Sequence, residues 1–293
     1  MHNFQSNYDK ILDVLKHEIA IHNVSFKPRK PKLSDIEIVA IDLTAQYMSI
    51  DSESQLFRLL EGIGFPNLID RSVYNRRKRN LAPFIEQIRQ QLANKFNEFE
   101  DYFVIDSMPL EVCKLARSSR AKICQETYHT APDKGYCASQ QMHFYGYKLH
   151  AVCSVNGIFE SLDISKASVH DIHYLKDVKE QLSDCVLLGD KYCLSSTLQI
   201  DLFETANIQL ETPKRRNQKD YVKQSFVFRK TRKRIETLFS QLCDQFMIRR
   251  NYAKSFHGFR TRILSKITSL TIIQFINKFY FNRNINNLKV LIS

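Results

Sequence analysis

The hydrophobic period changes near residue 100, and that change limits the folds open to this chain. Before it, apolar residues recur at helical spacing, as in Ile11, Leu12, Leu15 and Ile19. After it they come in short runs bounded by polar residues, "YFVID" at 102–106 and "CVLLGD" at 185–190. Such runs have the length of buried strands. A helical part therefore precedes a part that mixes strands with helices.

The helical part carries its own punctuation. Ser34 with Glu37 forms a capping box ahead of an apolar helix that runs toward Tyr47, and Ser52 with Gln55 repeats the signature. Gly62 and Gly64 stop that next helix. Asp70 caps a third, "RSVYNRRKRNL", which ends before Pro83, and a fourth follows through Phe96. The third helix holds Arg71, Arg76, Arg77, Lys78 and Arg79. These are either a solvated basic face or the recognition helix of a helix-turn-helix-like bundle. The 43 Lys and Arg against 31 Asp and Glu, a net charge of +12, favour the second reading. That excess calls for a polyanionic partner, most simply nucleic acid.

Beyond residue 100, the polar tract 117–141 lacks an apolar period and reads as a long loop spanning 113–142. Two strands then flank Asn156-Gly157, the commonest short-turn dipeptide. "SVHDIHYLKDVKEQL" is a helix that Ser168 and Asp171 can cap. "CVLLGD" and "NIQLETP" are further strands, and "RKTRKRIETLFSQLCDQF" is a long helix.

Several classes are excluded. Seven cysteines are an odd number without a C-x-x-C pair, which fits reduced thiols in a cytoplasmic protein and no zinc framework. "ITSLTIIQFIN", between Lys266 and Lys278, spans 11 residues and is too short to cross a bilayer. It reads as a terminal helix packed on the core, in a protein with no membrane partner.

Two acids break the strand pattern. Asp106 and Asp190 close apolar runs where another aliphatic residue would fit, and a carboxylate there needs a compensating partner. Glu236 is one of two acids among ten cations between 212 and 236, on a helix with an apolar face through Ile235, Leu238, Phe239 and Leu242. Taken singly, each has a plain reading. A strand-end acid is often a turn residue, and Arg232 offers Glu236 an ordinary i−4 ion pair. Together, three converging carboxylates would repel one another unless divalent cations lie between them. Mg²⁺ suits such oxygen donors, and two ions ~4 Å apart serve in-line phosphoryl transfer. His170 and Asp171 are candidates to support that site.

The passages "YFVIDSMPLEVC", "FYGYKLHAVCSVNGIFESLDISKASVHDI", "CVLLGDKYC" and "RKRIETLFSQL" resemble the DDE transposases of bacterial insertion sequences, and the resemblance covers essentially the whole chain. It implies a mixed α/β architecture. A ribonuclease-H-like catalytic domain over 99–293 would follow an all-α DNA-binding domain over 1–98. It implies a triad of Asp106, Asp190 and Glu236 holding two Mg²⁺ ions, with Mn²⁺ able to substitute. It also implies cleavage at element ends and transfer of a 3′ hydroxyl into target DNA.

The expected partner is double-stranded DNA, both terminal repeats and target, bound by a homodimer at the bacterial nucleoid. Lys148, Lys214, Arg215, Arg216, Arg232 and Lys233 join the cations of the third helix as expected DNA contacts. Many relatives carry a Tyr three residues before the Arg and a Lys seven after the Glu. Here Arg229 and Cys243 stand in those places, and Arg249 or Arg250 are the candidates to replace them. A nuclease or resolvase of the same fold, and a non-enzymatic DNA-binding protein, are the alternative readings.

Overall fold

The computed structural model describes residues 3–20, 24, 29–98, 100–190, 196–213, 226–288 and 292. Two compact units emerge. One comprises 1–92, 241–253 and 257–293; the other comprises 93–240 and 254–256.

The first unit is helical. Its elements are α1 (Phe4–Glu18), α2 (Asp35–Tyr47), α3 (Glu53–Gly62), α4 (Arg71–Asn80) and most of α5 (Ala82–Asn97). The expected caps are present. Ser34 and Glu37 form the reciprocal box, Ser52 accepts from the Gln55 N–H, and Asp70 accepts from the Ser72 N–H. After α3, Gly64 takes φ +65° and the Phe65 N–H returns to the Leu60 carbonyl, a Schellman stop with Phe65 buried behind it.

The terminal apolar stretch lies in the helix Phe256–Phe275, which is buried on nearly every side. Most of its hydroxyls are satisfied locally or across helices, as Ser265 donates to the Thr261 carbonyl and Ser269 to that of Leu43, whereas the buried Thr268 hydroxyl has no partner among the described residues. Lys266, also buried, donates to the Phe246 carbonyl and pairs with Asp51. These residues therefore group with the N-terminal helices and not with the strands. Among the described residues no helix is long and apolar enough to cross a membrane.

The second unit is built on β1 (Tyr102–Cys113), β2 (Asp133–Cys137), β3 (Met142–Ser154), β4 (Phe159–Lys166), β5 (Cys185–Leu188) and β6 (Ile208–Glu211). Among the described residues these six form one sheet. One edge of β3 pairs antiparallel with β1; its other edge is shared by β2, opposite Met142–Gly146, and β4, opposite Tyr147–Cys153. β5 adds parallel to β1, and β6 parallel to β5. An antiparallel meander extended by parallel strands is the ribonuclease-H-like topology.

Helices α6 (Tyr174–Val178) and α7 (Ser196–Ala206) join a core in which Phe103, Ile105, Val152 and Leu187 meet Leu175, Val178 and Leu202. The long helix is α8 (Phe226–Asp244), and α9 is the terminal helix Phe256–Phe275.

Three local expectations are corrected. The tract 113–142 is not a continuous loop: it holds a 3₁₀ helix, Leu115–Arg120, and strand β2. Asp106 does not end its strand, because β1 continues to Cys113. The segment after β4 is capped by His170, whose ring accepts from the Ile172 N–H, and not by Ser168 or Asp171. The helix that follows is only Tyr174–Val178.

Candidate active site

The parallel register brings Asp106 and Asp190 together. β1 and β5 pair Tyr102 with Val186, Phe103 with Leu187 and Val104 with Leu188, a constant offset of 84 positions. Asp106 and Asp190 have the same offset and lie two residues beyond the last pair. Alternation puts Asp106 on the Val104 side of β1, while Asp190 lies two residues past the end of β5. Parallel pairing stops at Leu188, so Asp106 lies mid-strand but where β1 loses its parallel neighbour.

A cavity of about 30 Å³ opens there, lined by Asp106, Ser107, His150, Asp171, Tyr174 and Asp190. That volume accommodates a water-sized guest. Burial raises the Asp106 carboxyl to about 6, and the charges of Asp190 and Asp171 push the same way. The Ser107 N–H, 2.8 Å from Oδ1, and the Arg232 guanidinium oppose them. Asp106 is thus an acid short of cations. The cation at hand is Arg232 on α8, whose Nη2 lies 3.5 Å from Asp190 Oδ1.

Asp171 is held on the cavity wall from β3. Lys148 Nζ donates to its Oδ1 at 3.0 Å and to the Val169 carbonyl at 2.9 Å. His150 Nδ1 lies 3.8 Å from the same oxygen. His150 is buried, with Nε2 2.7 Å from Ser165 Oγ and its ring 5.2 Å from that of Tyr174. Burial lowers its pKa against the pull of Asp171 and Asp163, which favours the neutral imidazole at pH 7. The sequence reading passed over His150. The signal was available in "YGYKLH", where Lys148 and His150, two apart on one strand, must face the same side.

The remaining candidates are scattered. Glu236 is exposed on α8, one turn beyond Arg232, and does not line the cavity; Arg232 turns to Asp190 instead of to Glu236. Among the described residues no group of three or more His, Cys, Asp or Glu is gathered to hold a metal. Lys233 and His170 are exposed. Lys214, Arg215 and Arg216 lie outside the described residues.

On α4, Arg71 is exposed and bonds Ser54, Arg76 is exposed, and Arg79 is partly buried. Two cations depart from the expectation of a DNA contact. Lys78 is buried and bonds Glu53 at 2.7 Å with Asp42 at 3.6 Å, while Arg77 pairs with Asp35 at 2.6 Å and donates to the Leu33 carbonyl. Lys148 departs likewise, since its ammonium serves Asp171 and Val169. The Arg249 guanidinium lies near enough to oppose the burial that raises the Cys243 thiol, so a cation stands beside the position where relatives carry Lys.

The transposase DDE domain family matches residues 97–272, well over half of the 293-residue chain. The chain belongs to the DDE transposase family. No curated protein matches its sequence. Among solved structures it is similar to the Mos1 transposase paired-end complex with left transposon end, at 12% identity over 86% of this chain and 81% of that one. The TM-score of 0.24 is too low for that superposition to bear on the site. The transposase domain as matched includes Asp106, Asp190 and Glu236, and it spans both sheet strands and α8.

Proposed function

We propose that this transposase binds the terminal repeats of an insertion sequence as a homodimer, cleaves the element ends and joins the 3′ hydroxyl to target DNA. The observation that carries this reading is the cavity that Asp106, on β1, and Asp190, just past the end of β5, line together. A purely DNA-binding protein has no use for that arrangement.

The donor set fits divalent cations. Mg²⁺ takes hard oxygens, binds through one or two carboxylates and completes its shell with water and substrate phosphate. Asp106 and Asp190 would hold such ions, Mg²⁺ or Mn²⁺; Glu236, which is exposed on α8 and does not line the cavity, is the third carboxylate we assign to them. Ions held by these carboxylates would supply the charge stabilisation that in-line phosphoryl transfer requires.

The chain's own residues do the rest. β1 and the Ser107 N–H fix the Asp106 carboxylate. Lys148 holds Asp171 on the cavity wall, and neutral His150 packs behind it without adding charge. Arg232 balances Asp190, 3.5 Å from its Oδ1, and its guanidinium would be available to a DNA phosphate were Asp190 to hold a divalent ion instead. Arg71, Arg76, Arg79 and Lys233 are the cations we assign to DNA, a sequence-independent attraction that weakens with salt. The helical unit supplies the reader of the ends, acting in the cytoplasm at the nucleoid.

A strand-transfer assay tests this. A pre-cleaved terminal-repeat duplex with a free 3′ hydroxyl is incubated with plasmid and Mg²⁺, and the joined product is expected. Nicking without joining would make the chain a nuclease of the same fold.

A further inference from the structure

The excursion between β1 and β3 carries a surface that the catalytic reading does not use. Tyr128 is 85% exposed, the most exposed large apolar side chain among those described, and Tyr136 is 51% exposed. Singly exposed rings are ordinary on a protein surface. The same stretch of sequence carries five exposed cations, Lys114, Arg117, Arg120, Lys122 and Lys134, against two exposed acids, Glu126 and Asp133.

The rings are also held. Lys166 Nζ donates to the Tyr128 carbonyl and lies 4.5 Å from the centre of its ring. Tyr136 stands opposite His143 in the β2–β3 ladder, their ring centres 4.9 Å apart. The Ala167 carbonyl and methyl lie where a side chain on Gly135 would go, which ties β2 to the end of β4 beside Lys166.

We infer that this surface binds an unpaired DNA strand, with bases stacked on Tyr128 and Tyr136 and phosphates met by the surrounding cations. Aromatic faces interleaved with cations suit exposed bases, whereas a duplex keeps its base faces stacked inside. Position supports the assignment. β3 connects the surface to the active site: Ala151 pairs with Asp106, and Tyr147, four residues earlier, pairs with Lys166. At ~3.3 Å per residue that is ~13 Å along β3, within the reach of a few nucleotides of unpaired strand. A strand separated beside the cut therefore reaches Tyr128. The inference rests on the proposal that this chain cuts DNA.

The test is fluorescence anisotropy of the full chain with a labelled oligothymidylate single strand and with a labelled duplex, in EDTA. The Tyr128→Ala, Tyr136→Ala double variant is expected to lose about 10- to 100-fold in single-strand affinity. Duplex affinity should stay within about twofold, and the corresponding Phe double variant should bind like wild type. Unchanged single-strand affinity in the Ala variant, or an equal loss on both probes, would overturn the stacking role. Wild-type protein that binds neither probe would instead defeat the DNA-processing reading itself.

Discussion

Lys148 Nζ lies 3.0 Å from Asp171 Oδ1, which turns a surface-type cation inward to hold an acid at the edge of the cavity containing Asp106 and Asp190. The Lys148→Gln variant should therefore lose cleavage and not binding. A fall of about 10- to 100-fold in cleavage rate is expected, the range for residues that orient a metal site's surroundings. The salt dependence of DNA binding should be unchanged. A slope reduced by about one would show instead that Lys148 contacts a phosphate.

Asp106 predicts a pH dependence of stability. Its carboxyl rises from 3.8 to about 6 on folding, so the folded state binds the proton more tightly than the unfolded state does. The stabilisation is full below about 3.8 and is lost as pH rises through about 6. Metal-free protein should thus be less stable at pH 7.5 than at pH 5, by ~1.4 kcal/mol from this group, because part of the linkage is already lost between 3.8 and 5. The Asp106→Asn variant should lack that component. Melting temperatures in EDTA at the two pH values would show it, and an identical pH response in variant and wild type would contradict it.

The basic helix α4 should separate into two kinds of residue. Lys78→Met leaves Asp42 and Glu53 without their shared cation and should destabilise the fold by ~3–5 kcal/mol, read as a lowered melting temperature. Arg76→Glu should leave melting nearly unchanged while weakening binding to terminal-repeat DNA. Unchanged affinity in that variant would leave Arg76 on a plain solvated face.

Arg249 predicts a contrast at the end of α8. Burial raises the pKa of the Cys243 thiol, and the nearby Arg249 guanidinium opposes that rise. Cys243→Ala should reduce cleavage less than twofold or so, because the charge remains. Arg249→Ala should weaken DNA binding, measured by anisotropy, if this cation replaces the Lys of related signatures. Loss of cleavage in the Cys243→Ala variant would reverse that assignment.

Some of this was legible in sequence because the signals are local. Capping Ser34 and Ser52 lie three residues from their partners, and Asp106 and Asp190 break short apolar runs visibly. Strand β2 was not legible: in "DKGYC" every side chain is at least partly exposed, so no alternation of burial marks it. Lys78 was not legible either, since Asp42 and Glu53 reach it from two other helices. Asp171 looked like a cap because its spacing from Ser168 is right, and only the fold shows Lys148 competing for its carboxylate. Glu236 shows the converse. Its motif is clear in sequence, yet the arrangement described leaves it exposed on α8 while Arg232 occupies Asp190.

The central claim is that Asp106 and Asp190 form a metal-dependent DNA-cleaving centre. Its most direct test is cleavage of a labelled duplex carrying the element's own terminal repeat, comparing wild type with Asp190→Asn in Mg²⁺, Mn²⁺ and EDTA. The account predicts nicking at the repeat end by wild type in either metal, none in EDTA, and none by the variant, with DNA affinity retained. Cleavage by Asp190→Asn at the wild-type rate, or cleavage by wild type that persists in EDTA, would contradict it.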